Sequence, residues 1–172
     1  MSKKPNSKGG ILTSPRRKLE AFGGAKKGMV ICKTCNIFYY KKSWHHNADT
    51  FVAIRANKDV PIHFATCPAC ALIKSKQCLG KITIKNVPTA QKTDLLNLIK
   101  GYSERAFDRD PLERMISVTQ AGASITVKTT NNQLAQRLGR KIKETFNKVK
   151  LSMAYMREPG DVANVTIEFL VK

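Results

Sequence analysis

The chain has 172 residues, 42% of them hydrophobic, and carries 31 Lys and Arg against 12 Asp and Glu, a formal charge of +19. Such a length holds one or two small domains and a tail, and no stretch approaches the ~18 consecutive apolar residues of a membrane span. A positive excess of this size repels itself in a compact state unless an anion lies near, so an anionic partner is expected; neither a membrane nor a small-molecule substrate is expected as a partner.

Residues 1–28 hold Lys3, Lys4, Lys8, Arg16, Arg17, Lys18, Lys26 and Lys27 against Glu20 alone. The segment is rich in Lys, Ser, Gly and Pro and sustains no period of 2 or 3.6, which predicts a disordered basic arm whose cations meet phosphates. It lacks the apolar run of a secretory signal. With an odd count of five cysteines, a disulfide framework is not expected, and a reducing cytoplasm is the expected compartment.

Residues 29–80 contain Cys32-x-x-Cys35 and Cys67-x-x-Cys70, with 31 residues between the pairs. Only short apolar pieces surround them: "MVI", "IFYY", "FVAI" and "IHFA". None makes an independent core, and a module this small needs a staple. Two residues between thiols let one tight turn aim both sulfurs at a single ion, and two such turns complete a tetrahedral shell. The expected cofactor is therefore one structural Zn²⁺ on Cys32, Cys35, Cys67 and Cys70. Asn36 tolerates the positive φ such turns often need, Ala71 in the matching place is less comfortable, and Pro68 presets the second turn. A thioredoxin-like redox pair would want one pair in a βαβ context, and a catalytic metal would want an open coordination position. Neither pattern is met. His45 and His46 are alternative ligands or phosphate-facing residues, His63 reads as a partly buried strand residue, and Cys78 as a small apolar one.

The stretch "FYYKKSWHH" interleaves Phe38, Tyr39, Tyr40 and Trp44 with Lys41 and Lys42. Aromatic faces stack on unpaired bases while lysines neutralise phosphates. Phe38 and one tyrosine are expected to pack the module. Trp44, with Lys41, Lys42, His45 and His46, is expected to face RNA.

From residue 81 the patterning changes. "KITIKNV" turns Ile82 and Ile84 to one side, a strand. "TAQKTDLLNLIKGYSERAF" places Leu95, Ile99, Tyr102 and Ala106 at helical spacing, and Asp110-Pro111 ends it. "RMISVTQ" and "SITVKTT" alternate around "QAGA", a hairpin. Thr130 and Gln133 form a candidate capping box before a helix carrying Leu134, Leu138, Ile142 and Phe146. Its polar face holds Arg137, Arg140, Lys141 and Lys143, opposed only by Glu144; Arg137, Arg140 and Lys141 are candidate RNA contacts. "VKLSMAYM", the turn "REPGD" and "VTIEFLV" close the chain as two strands. The order β-α-β-β-α-β with one extra strand predicts an α+β sandwich of the ferredoxin-like, split βαβ kind over residues 81–172. The first strand could instead close the metal-binding module. The strands lack the aromatic signature of an RRM, and no P-loop, GxGxxG, HExxH or carboxylate pair stands in a convincing context, so no enzyme is expected.

Taken in order, "CKTCNIFYYKKSWHH", "CPAC", "DPLERMISV" and "ITVKTTNNQLAQRLGRKI" resemble a bacterial zinc-ribbon family similar to the N-terminal zinc-binding part of the large-ribosomal-subunit export adaptor of eukaryotes and archaea. The likeness spans roughly residues 30–171, and its "TT…LA..LG" segment is the distinctive part. It implies a ribosome-associated, non-enzymatic protein that contacts large-subunit rRNA, with the four paired cysteines as metal ligands. The adaptor's later domains are missing, so assembly, hibernation or quality control is implied rather than export. The alternative is a DNA- or RNA-polymerase-associated zinc-ribbon regulator.

Overall fold

A computed structural model describes residues 28–56, 59–156 and 162–170. The basic arm, the turn "REPGD" and Val171 lie outside them, except for Gly28. The fold is α+β, built on two mixed sheets with strand orders β3-β2-β1-β4 and β6-β7-β5-β9-β8.

The first sheet comprises β1 (Met29–Cys32), β2 (Phe38–Tyr40), β3 (Ser43–His45) and β4 (Ile62–Ala65), accompanied by helices α1 (Ala48–Ala56) and α2 (Pro68–Lys74). Strand β1 is buried on both faces because successive side chains point opposite ways. Met29, Ile31 and Phe38 pack with Ile54 of α1, whereas Val30, Cys32, Tyr39 and Trp44 pack with Cys67, Ala69 and Cys70 on the other side. The piece "FVAI" thus belongs to a helix, started by Asn47, whose Oδ1 accepts from the backbone N–H groups of Asp49 and Thr50 at 2.8 and 3.2 Å. Lone apolar tetrads do not reveal their period, which is why the sequence left it open.

The second sheet comprises β5 (Gly80–Lys85), β6 (Met115–Ala121), β7 (Ser124–Thr129), β8 (Val149–Met156) and β9 (Val162–Phe169), with α3 (Thr89–Arg109) and α4 (Asn132–Thr145). Ile82, Ile84, Ile125, Val127, Val165, Ile167 and Phe169 face Leu95, Ile99, Leu138 and Ile142 of these helices in one apolar core. The strand "KITIK" sits mid-sheet between β7 and β9, not in the metal module. The buried stripe of α3 runs through Leu95, Ile99, Ser103 and Ala106. Ser103 joins it, its hydroxyl donating to the Ile99 carbonyl at 2.9 Å, and Tyr102 packs half-buried against the same core, as expected. Strand order over β5, β6 and β7 is that of a split βαβ unit, but the closing position beside β5 is taken by β9, running parallel. The extra strand β8 sits outside it at the edge.

The "LA..LG" segment has a packing reason. Ala135 and Gly139 are one turn apart on α4, both buried. A Cβ on Gly139 would meet Val165 Cγ1 at 2.7 Å, so the missing side chain lets the helix settle on β9. Asn131, not Thr130, caps α4, with Oδ1 accepting from Gln133 and Leu134 N–H at 2.7 and 3.3 Å. Thr130 is taken by the loop after α3. Its hydroxyl donates to the Leu112 carbonyl at 2.6 Å and accepts from the Arg114 N–H at 2.8 Å.

Candidate metal centre

Cys32 ends β1, and Cys35 lies in the turn after it. Cys32 and Asn36 close that turn, the Asn36 N–H donating to the Cys32 carbonyl at 3.0 Å, with Asn36 at the expected positive φ of 60°. The second pair is built differently. Cys67 caps α2, Pro68 starts it, and Cys70 sits in its first turn. Ala71 is therefore helical and is not asked for a positive φ. The parallel pairing of β1 with β4, Cys32 opposite Ala65, brings the turn and the helix start together. The four sulfurs lie within 4.8 Å of one another, three of the cysteines buried and Cys35 half-buried. Four such sulfurs can hold one metal ion.

Backbone N–H groups already point at the sulfurs. Cys67 N–H donates to Cys32 Sγ at 3.2 Å and Cys70 N–H to Cys67 Sγ at 3.4 Å. Burial pushes the Cys32 thiol up, but hydrogen bonds from the backbone of Cys67, Thr34 and Cys35 outweigh it and bring the thiol down to about 6. Burial raises Cys67, and it raises Cys70 to about 11, with the neighbouring thiolates adding to both. Without a cation the cluster resists becoming four thiolates; a bound cation removes that resistance.

Arg114, distant in sequence and from the second sheet's side of the molecule, reaches this cluster. Its Nη2 donates to Cys35 Sγ at 3.2 Å and its Nη1 approaches Cys70 Sγ at 3.8 Å. Its Nε donates to the Pro111 carbonyl at 2.8 Å, and the guanidinium lies 5.1 Å from the Phe107 ring centre. Burial lowers the Arg114 pKa, but the sulfurs outweigh it and hold the group above its ordinary value. Leu112 packs against the cysteine cluster from the same loop. The sequence reading missed Arg114. It sits in "DPLERMISV", 79 residues from Cys35, and no spacing rule links the two.

His45 and His46 lie outside the sulfur cluster. His45 stacks on Phe38 at 5.4 Å, its Nε2 3.3 Å from the Tyr40 carbonyl. His46 reaches to the end of α3 instead, with Nε2 3.0 Å from the Asp108 carbonyl and the ring 4.9 Å from that of Phe107. His63 is a half-buried residue of β4, as expected.

The aromatic expectations divide. Phe38 and Tyr39 are buried, as the packing reading requires. Trp44 must be corrected: it is 7% exposed and packs at 5.3 Å against Tyr39, so it is a core residue and no base can stack on it. Strand alternation decides this, since Trp44 pairs with Tyr39 and shares its face. Lys41 and Lys42 stay exposed, at the tip of a two-residue hairpin with φ of 46° and 66°. Arg137 also needs correction as a free cation. Its guanidinium forms an ion pair with both oxygens of Glu113, which is 4% exposed. Arg140 is exposed, and Lys141 is exposed with Nζ 3.7 Å from Glu144. Cys78 is a half-buried free thiol. No helix among the described residues is long and apolar enough to cross a membrane.

No family model, curated protein or solved structure matches this chain.

Proposed function

We propose that the chain is a non-enzymatic, cytoplasmic, zinc-stabilised RNA-binding protein that associates with the ribosome, through rRNA of the large subunit. The observation that carries this reading is a four-sulfur cluster, with an arginine hydrogen-bonded to it, in a chain of charge +19.

Zinc suits the sulfurs in number, and the four lie within 4.8 Å of one another. Zn–S bonds of ~2.3 Å in a tetrahedron separate the sulfurs by about 3.8 Å, and Cys35 and Cys67 Sγ lie 3.7 Å apart. Four thiolates and one Zn²⁺ carry a net −2, which Arg114 partly neutralises. Such a shell leaves no position for a water or substrate, so the metal holds structure and performs no reaction. What remains for function is the cationic surface. Lys41 and Lys42 on the hairpin tip, Arg140 and Lys141 on α4, and the basic arm are the groups offered to phosphates. The ribosomal assignment comes from the motif resemblance and adds the target to that chemistry.

Ultraviolet crosslinking in cells followed by sequencing of the recovered nucleic acid tests the reading. Large-subunit rRNA is the expected product, together with co-sedimentation with large subunits that weakens by about 0.7–0.9 in log K per phosphate contact for each tenfold rise in salt. Failure to sediment with large subunits at low salt, or recovery of chromosomal DNA in place of rRNA, refutes it. Native mass spectrometry is expected to find one zinc per chain; iron in its place would exclude the zinc assignment.

A further inference from the structure

Among the described residues, the helices that pack on the five-stranded sheet lie on one face, and the registers define what the other face presents. Thr119 lies opposite Thr126, Thr126 opposite Thr83, Thr83 opposite Thr166, and Thr166 opposite Ser152. One uninterrupted row of hydroxyls therefore crosses all five strands, a span of roughly 19 Å at the usual strand spacing. The next row holds Lys128 and Lys81 directly opposite each other, with Asn164 beyond them. On the row's other side Lys85 and Lys150 both oppose Glu168. Lys81, Lys85 and Lys150 are exposed, and Thr83, Thr126 and Thr166 are half-buried.

Two features set this face apart from an ordinary solvated one. Lys81 and Lys128 are like charges directly across an antiparallel pair, an arrangement that costs stability until an anion sits over it. The outward positions of these strands, among the described residues, carry no aromatic ring. Splayed single-stranded bases need such rings to stack on. A continuous row of hydroxyls flanked by cations instead matches the shallow minor groove of A-form RNA, which displays 2′-hydroxyls between two phosphate ridges.

We infer that the open face of the second sheet is a docking surface for double-helical RNA, with Thr83, Thr126 and Thr166 meeting 2′-hydroxyls and Lys81, Lys128 and Lys150 meeting phosphates. The inference rests on the RNA-binding reading above and assigns it a surface and a class of RNA.

The test uses full-length, zinc-loaded protein and three probes: an RNA duplex of about 20 base pairs, one of its strands alone, and a DNA duplex of the same sequence. The RNA duplex is expected to bind tightest. Lys81→Gln with Lys128→Gln is expected to weaken it at least tenfold and to lower the salt slope by about 2, one per phosphate contact. Thr83→Val, Thr126→Val and Thr166→Val together keep shape and strand preference. They are expected to weaken RNA duplex binding several-fold and leave DNA binding unchanged. Lys150→Gln, on the edge strand, is an independent third variant. Thermal melts establish that each variant is folded. If folded variants bind the RNA duplex like the native chain, this surface assignment falls while the RNA-binding function stands. If the native chain prefers the single strand, or if DNA binds as well as RNA, the double-helical RNA assignment is overturned. If the native chain binds no RNA at low salt, both readings fall together.

Discussion

The two halves of this molecule are held together by different means. Residues 80–170 have a continuous core in which 13 buried residues share one cluster, drawn from both helices and the sheet. Residues 29–74 have two small clusters, one of four buried residues and one of eight, and the larger contains Cys32, Cys67 and Cys70. In the first half, then, sulfur occupies positions where the second half has isoleucine and leucine. Apolar burial can sustain the sandwich; the module has four thiols placed so that they could hold a metal ion.

Metal removal should break that contrast most sharply. A strong chelator, or Cys70→Ser, is expected to unfold residues 29–74 while the sandwich keeps its slow-exchanging amides, because structural zinc binding is worth on the order of 10 kcal/mol to a small module. Hydrogen exchange read by mass spectrometry checks it; equal protection across the module with and without metal would remove the metal's structural role. Metal affinity is also expected to fall as pH falls, since protons compete for the thiolates and burial holds the proton on Cys67 and, up to about 11, on Cys70. The reverse experiment is Leu138→Ala, which opens a cavity in the sandwich at a cost of about 2–5 kcal/mol. Denaturant melts should report that loss while the metal content of the chain is unchanged.

Arg114 lies where the two halves meet. Arg114→Ala is expected to weaken metal affinity about tenfold, the size of effect typical of groups that hydrogen-bond metal ligands. Arg114→Lys should restore part of it as a charge without the forked geometry. Competition with a chromophoric chelator measures both; identical affinities in all three proteins would show that the guanidinium does not act on the sulfurs. The smallest effect is expected at the hairpin tip. Lys41 and Lys42 adopt the left-handed conformation that Asn-Gly adopts more easily. Lys41→Asn with Lys42→Gly is expected to stabilise the module by about 1 kcal/mol while weakening RNA binding. A gain in stability without loss of RNA affinity would take the tip out of the binding surface.

Local pattern was enough wherever the physics is local. The spacing of Cys32 with Cys35 and of Cys67 with Cys70 announces each pair, because each is a single turn, and the pairing of β1 with β4 then brings the two pairs together. The alternation of Ile82 with Ile84 and the four-residue spacing of Leu134, Leu138 and Ile142 likewise announce their elements, since one face must be apolar. Short runs such as "FVAI" and "CPACALIK" carry too few turns to show a period, and their helices come from a cap and from packing against β1. Trp44 looked like a surface ring because it stands between lysines and histidines, yet its strand partner Tyr39 turns it inward.

What the sequence determined by itself was the four candidate ligands, the element order of residues 81–172 and the positive charge. Tertiary structure alone decided that Arg114 reaches the sulfurs, that Glu113 claims Arg137, and that β9 rather than β8 closes the sheet. These are contacts between residues far apart in the chain, and no periodicity encodes them: they exist only once two independently formed surfaces have met.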